Sequence, residues 1–435
     1  MNGRLVLVIT FVFVDLLGYS LFLPLLPYYA ETFGAGPTLV GLLVASNALA
    51  QLVAAPTVGR LSDRFGRRPL LIFSIAGTVV SFLLLGLVEP LGGLLTRLTA
   101  GAIPVEAAAI VMLFLSRSLD GLAGGNASLA RAYISDITDD EDRAKGLGMI
   151  GAAFGLGFII GPALGGFLSN WPAATAVFAA QGLSRYAVPA FAAAALATLN
   201  LGAVLLWLPE SLSEEEREEF RRNPRTAFSP KLMIEALKRP RFGALLQIRF
   251  FYMLAFTVFT ANFALYTQYR LGLADQSTSY ILAYVGILVV LVQGVAIGRL
   301  TEHFSETRLI LGASILLGLA MVAWAFVSGV PLLMVVLVPL ALGGGVLNTV
   351  TNSAITKSVY RAEVGGALGF SEALNNLARV IAPAIGGVML GQLGASSLGI
   401  LGAVIMAWVA YTIWRRLVVE NPPLPGQGEG ETAPA

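Results

Sequence analysis

Cysteine is absent from the 435 residues. That excludes disulfides, thiol catalysis and thiolate metal sites. Histidine occurs once, at His303, in a charged loop where no ligand role is expected. Charge is also scarce. Asp, Glu, Lys and Arg make up 12% of the chain, whereas a soluble domain carries about 25%. The net charge of +2 leaves no global field to attract nucleic acid. No Gly-x-Ser-x-Gly elbow, no His-Glu-x-x-His and no phosphate-binding loop occurs, so neither hydrolytic chemistry nor ATP drive is expected. No cofactor and no metal are expected either.

What is abundant is apolar sequence. Hydrophobic residues account for 56% of the chain, and the mean hydropathy is +0.78. There is too little polar surface to face water, so most of the chain must be solvated by a lipid bilayer. A helix needs about 20 mainly apolar residues to cross the hydrocarbon core. Runs of that kind fall near 5–29, 38–59, 69–88, 105–130, 146–168, 187–208, 242–267, 277–299, 308–328, 331–355, 365–390 and 395–417. The first is too long for a signal-peptide core and carries Asp15 in its middle, so it is read as a retained span. Backbone groups in lipid must bond within their own segment, which leaves helices as the reading for all of these runs. The fold class expected is an all-α integral membrane protein, with twelve transmembrane helices in two pseudo-symmetric six-helix bundles.

The positive charges set the orientation. With the N-terminus inside, Arg4, Arg60, Arg64, Arg67, Arg68, Arg131, Arg143, Lys145, the residues from Arg217 to Arg241, Arg299, Arg308, Lys357, Arg361, Arg415 and Arg416 are all cytoplasmic. Only Arg97, Arg185 and Arg270 fall outside. Both termini are therefore expected in the cytoplasm, and the protein in the inner (plasma) membrane. The polar stretch between the sixth and seventh spans reads as a linker, with an amphipathic helix around 229–239. The expected division is a bundle at 1–208, a linker at 209–241, a bundle at 242–418 and a disordered Pro/Gly-rich tail at 419–435.

The two halves resemble each other. Gly59, Arg60, Leu61, Asp63, Phe65 and Leu70 match Gly298, Arg299, Leu300, Glu302, Phe304 and Leu309 at an offset of 239. GPALGG at 161–166 matches APAIGG at 382–387, and Asp142 and Gly148 match Glu363 and Gly369, at an offset of 221. The first half thus holds extra residues between the motifs, and 89–105 is where they are expected. A parallel repeat of this kind places a site near the midplane, between the halves.

Several ionisable residues sit inside spans: Asp15, Arg117, Asp120, Glu372 and Arg379. Each costs about 2.5–3.5 kcal/mol on insertion scales, so pairing or function is expected of them. Asp15 and Arg117 are both near mid-depth and are expected to pair, as a proton switch or as a fixed ion pair. Asp120, one turn from Arg117, is the competing partner. Gly157, Gly161 and Gly165 form a stripe beside Pro162 and Gly166, and a weaker copy runs through Ala378, Ala382, Pro383 and Gly386. Such stripes let helices approach closely, and corresponding helices of the halves are expected to meet there. Tyr19, Asn47, Gln51, Asn262, Gln293, Asn348, Glu372 and Arg379 are candidates for a substrate cavity. Asp63 is expected near the start of the third span, where the helix dipole favours an anion.

GRLSDRFGRRPLL at 59–71, RSLDGLAGGN at 117–126, GAAFGLGFIIGPALGGFL at 151–168 and VDLLGYSLFLPLLP at 14–27 stand in register with these spans. Together they resemble the signatures of the major facilitator superfamily. AYISDITDDEDRAKG and the LPES at 208–211 are similar to the tetracycline-antiporter-like subgroup of its twelve-span drug/proton antiporters. That subgroup carries an acidic residue in the third span, where Ser81 stands here, and a histidine in the eighth, where Val289 stands. The resemblance implies a monomeric secondary transporter that exports small hydrophobic or amphipathic compounds in exchange for protons, without implying tetracycline. It implies a cytoplasmic gate built from Gly59, Asp63, Arg64, Gly66, Arg67 and Arg68, with Gly298, Arg299 and Glu302 as the second copy. It also implies that the glycine helix favours export. A metabolite or sugar carrier, and a non-transporting receptor on the same fold, stay open as alternatives.

Overall fold

A computed structural model describes residues 3–138, 140–222, 235–360 and 363–420. Twelve helices are long and apolar enough to cross a membrane. They are Leu5–Phe22, Pro37–Phe65, Arg67–Gly86, Val105–Ile137, Gly148–Leu168, Ala187–Trp207, Pro240–Ala261, Asp275–His303, Glu306–Ala325, Val330–Lys357, Val364–Leu393 and Ser396–Val419, numbered here as spans one to twelve. The expected runs map onto them one for one. The side chains of Asp142, Arg143 and Lys145, all of Arg361, residues 229–234 of the expected linker helix, and the tail from 421 lie outside the described residues; Glu235 to Lys238 are helical.

The differences have local causes. Span one stops at Phe22 rather than near 29, and a short helix, Leu26–Glu31, follows a turn. Pro24 lies in that turn, where a ring without an N–H cannot continue the helix. Span four is broken at Gly124 and Gly125 into Val105–Ala123 and Asn126–Ile137. Span eight contains one π-helical turn, Val292–Ala296. Such turns recur at functional sites, and this one holds Gln293. The connection between spans three and four carries an additional helix, Val88–Leu98, whereas spans nine and ten are joined by Phe326 to Gly329 alone. In the linker, Ser213 and Glu216 form a reciprocal capping box at the start of the helix Glu214–Arg222.

By their contacts the residues form two compact units. The first comprises Met1–Ala227 with Phe263–Ile287, the second Phe228–Asn262 with Leu288–Ala435. In the first unit, span one lies along span five. A Cβ on Gly157 would stand 3.2 Å from Leu16 Cβ. One on Gly161 would strike Ser20, and one on Gly165 the carbonyl of Leu21. Ser20 Oγ then donates to the Gly157 carbonyl at 2.7 Å. The second unit repeats this arrangement between spans seven and eleven. Ala378 and Ala382 are fully buried, and a Cβ on Gly386 would strike the Asn262 side chain.

These contacts correct the expectation for the stripe. By sequence, Gly157, Gly161 and Gly165 are expected to meet the corresponding helix of the other half. They face the first span of their own unit, and the weaker copy does likewise. Small residues specify a close approach but not the partner. Gly166 points elsewhere, to Ser279 of span eight within the same unit.

Candidate functional site

Span four places Arg117 and Asp120 at mid-depth in the first unit. Arg117 and Asp120 are buried, and their ion pair spans 3.5 Å. Arg117 also donates to Ser81 Oγ at 3.2 Å and lies 5.5 Å from the Phe82 ring. Asn47 of span two donates to Asp120 Oδ2 at 3.0 Å and to the Arg117 carbonyl at 3.1 Å. Gln51, one turn on, donates to the Gly124 carbonyl at 2.7 Å. Tyr19, Asn47 and Arg117 line a small cavity with Phe22, Leu23 and Val44.

Asp15 does not pair with Arg117. It accepts a hydrogen bond from Asn126 Nδ2 at 2.7 Å. The expected ion pair is thus replaced by one within span four, because Asp120 sits one turn from Arg117 and needs no other helix to reach it. Asn126 follows directly on the Gly124–Gly125 break, which turns its amide towards span one. Asp15 is left half-buried on a neutral partner.

The loop joining spans two and three is held by one network. Gly66 adopts φ +106°, which favours glycine. Arg67, 3% exposed, bonds Asp63 at 2.6 Å, Asp136 at 3.0 Å and Ser62 Oγ at 2.6 Å. The anion at the start of span three is Glu210 rather than Asp63. Glu210 accepts from the backbone N–H of Arg67 at 2.8 Å and of Arg68 at 3.2 Å, two donors with no partner inside the helix. Tyr133 donates to the Pro209 carbonyl at 2.8 Å, and Ser211 Oγ to Asp136 at 2.9 Å. The LPES motif therefore clamps the loop from the end of span six. Arg64 lies over the Phe65 ring, 5.5 Å from its centre, outside this network. Glu210→Gln weakens two charge-assisted bonds and is expected to lower stability by about 1–2 kcal/mol. Thermal unfolding of the purified protein in detergent measures this; an unchanged midpoint would contradict the clamp.

The second copy of this loop, in the second unit, is built differently. Arg299 and Glu302 are exposed, and a Cβ on Gly298 would meet nothing within 4 Å. Glu306 instead bonds Lys357 at 2.8 Å and Ser353 Oγ at 2.6 Å. Glu306 follows Arg67 by the same 239 residues that separate Gly298 from Gly59, and Lys357 follows Asp136 by the 221 of the second motif. The repeat thus preserves the Arg67–Asp136 bridge with its signs exchanged. Among the described residues Glu302, the aligned counterpart of Asp63, forms no ion pair. At the starts of spans seven and eleven, Arg239 forms a two-pronged bridge to Glu363 at 2.7 and 3.0 Å, and its hydrogen bonds hold the Glu363 carboxyl below the usual range.

Two buried charges escaped the sequence reading. Arg249 of span seven, 3% exposed, donates to Asn375 Oδ1 at 3.1 Å and to the Asn348 carbonyl at 3.1 Å. Asn375 in turn donates to Glu372 at 3.3 Å. Asp275 is fully buried at the start of span eight, within the first unit, where Arg185 at 3.1 Å and Ser169 Oγ at 3.0 Å bond it. Nearby, Tyr28 and Thr278 share a hydrogen bond of 2.7 Å. Burial pushes the Glu31 carboxyl up, and Gln268 donates to it. A charge nine residues into an apolar run was a visible signal for Arg249. Asp275 gave none, because a carboxylate at a span's first residue reads as loop.

The remaining candidates separate. Asn262 is buried against Gly386, and its Nδ2 donates to the Val258 carbonyl at 3.0 Å. Gln293 is exposed in the π-helical turn, and Arg379 is exposed at mid-span. Among the described residues no group of three His, Asp or Glu side chains is placed to hold a metal ion.

Twelve spans, a sequence repeat and ionisable groups held inside the membrane segments are the features of a membrane transporter. The chain belongs to the Major Facilitator Superfamily, whose model matches residues 8–330 and 245–435. It is 29% identical over 386 residues to the class B tetracycline resistance protein of Escherichia coli, covering 88% of this chain and 87% of the relative. It is 25% identical over 385 residues to multidrug resistance protein 2 of Bacillus subtilis (strain 168), covering 88% of each. The crystal structure of the human organic anion transporter MFSD10 (TETRAN) superposes with a TM-score of 0.66 at 20% identity, covering 95% of this chain and all of that one. That likeness concerns the fold alone. The protein is a transporter of the superfamily and spans the membrane many times.

Proposed function

We propose that the protein exports small amphipathic compounds in exchange for protons, by alternating access, as a monomer in the inner membrane with both termini cytoplasmic. The observation that carries this reading is Asp15. It is a carboxylate at mid-depth of span one, bonded to a neutral amide rather than to a cation. Such a group can gain and lose a proton without breaking an ion pair. Arg117 and Asp120, already bonded to each other, line or flank the adjoining cavity and support substrate or proton passage there. That relatives are named as tetracycline and multidrug resistance proteins supports drug-like compounds as the cargo.

Accumulation of a panel of lipophilic dyes and drugs in efflux-deficient bacteria tests the proposal. Cells making the protein should retain less of some compounds than vector controls, and a protonophore should erase the difference. If no compound responds while the folded protein is present in the membrane, a metabolite carrier becomes the better reading.

A further inference from the structure

The second unit holds an unbalanced cluster of charge. Arg379 stands fifteen residues into the thirty-residue span eleven, and Arg249 nine residues into span seven. One carboxylate, Glu372, lies on the same stretch of span eleven, and Asn375 links it to Arg249. Both Glu372 and Arg379 act electrostatically on Arg249. The cluster therefore carries two guanidinium groups against one carboxylate.

The two arginines are held unequally. Arg249 is spoken for: Asn375, the Asn348 carbonyl and the face of Tyr252, 5.8 Å away, fix its orientation. Arg379 is exposed, and among the described residues no hydrogen bond or ion pair holds it. Glu372 lies two turns away on the same helix, about 10 Å along the axis, and among the described residues no ion pair joins the two. A guanidinium at mid-span is too costly to leave in hydrocarbon, so its exposed head must face water or a ligand. The nearest charges of the cluster are a second cation, Arg249, and the single carboxylate of Glu372, which accepts from Asn375.

We propose that Arg379, backed by Arg249, is an anion-binding subsite that takes the carboxylate, or another single negative group, of an amphipathic substrate. The planar fork of Arg379 suits a two-oxygen acceptor. Arg249 raises the local positive potential without being consumed, and Glu372 limits the site to one net positive charge. The site thus prefers monoanions to neutral analogues and disfavours cations. This rests on the exporter reading for its physiological meaning, but binding can be measured without transport or a proton gradient.

The test uses the full chain in lipid nanodiscs and two probes of equal shape, 2-naphthoate and 2-naphthamide. Isothermal titration gives the ratio of their affinities. Wild type should bind the carboxylate about tenfold more tightly than the amide, as expected for one charge-assisted contact. In Arg379→Gln the ratio should fall to near one, and Arg379→Lys, which keeps the charge, should recover part of it. Only protein eluting as a single species is titrated, so misfolding cannot mimic the result. Wild type that binds the two probes equally, or Arg379→Gln that keeps the preference, would overturn the proposal. Failure of proton coupling would leave the ratio untouched, so the two readings fail separately.

Discussion

Asp15→Asn is expected to abolish uphill export while leaving the protein folded. Asparagine is nearly isosteric with aspartate, and its amide oxygen can still accept the bond from Asn126. Structure in the first unit should therefore persist. What disappears is a mid-depth carboxylate that is bonded to an amide rather than to an arginine. A proton crossing a potential of about 100 mV contributes roughly 2.3 kcal/mol. That corresponds to about a fifty-fold concentration ratio of an exchanged neutral substrate. The variant should lose this concentrative power and at most equilibrate its substrate. Substrate gradients across right-side-out vesicles measure the effect. A gradient equal to wild type in Asp15→Asn would remove Asp15 from the coupling.

Gly165→Leu should be the most damaging change to the fold. A Cβ at this position runs into the Leu21 carbonyl and stands 3.0 Å from its carbon. The obstacle is helix backbone, which cannot swing aside as a side chain can. Overpacking of this kind costs about 1–3 kcal/mol for modest additions, and more when two helices must separate. Gly151→Ala provides the internal comparison on the same span, because a Cβ there meets nothing within 4 Å. It should be neutral or stabilise by up to about 1 kcal/mol through helix propensity. Unfolding midpoints of the purified variants measure both effects. Equal midpoints for the two substitutions would show that spans one and five do not need their close approach.

The spans were legible because lipid leaves little choice. Long apolar runs must be helices, and arginine loops mark their ends. The additional helix at Val88–Leu98 was legible as a mismatch between the two repeat offsets. Pairings between helices were harder to read. Depth along each span suggested Asp15 with Arg117, but sequence distance favoured Asp120, and the break at Gly124–Gly125 supplied Asn126 instead. The stripe of Gly157, Gly161 and Gly165 announced a close contact without naming span one as the partner. The loop motif hid a further element, since Glu210 lies over 140 residues from Arg67 in sequence yet caps the same helix. Conversely, the alignment of Asp63 with Glu302 suggested a second gate of the same design. The structure carries the bridge one turn later, on Glu306 and Lys357, where the reversed signs conceal the correspondence from a motif search.

Proton exchange is the central claim, and it can be observed directly. The purified protein is reconstituted into liposomes containing a pH-sensitive dye, and a compound identified in the accumulation panel is added outside. Inward movement of the substrate should drive protons out, so the lumen should become alkaline in wild type and stay unchanged in Asp15→Asn. Substrate entry at the same rate with no change in luminal pH would contradict the account and make the protein a uniporter.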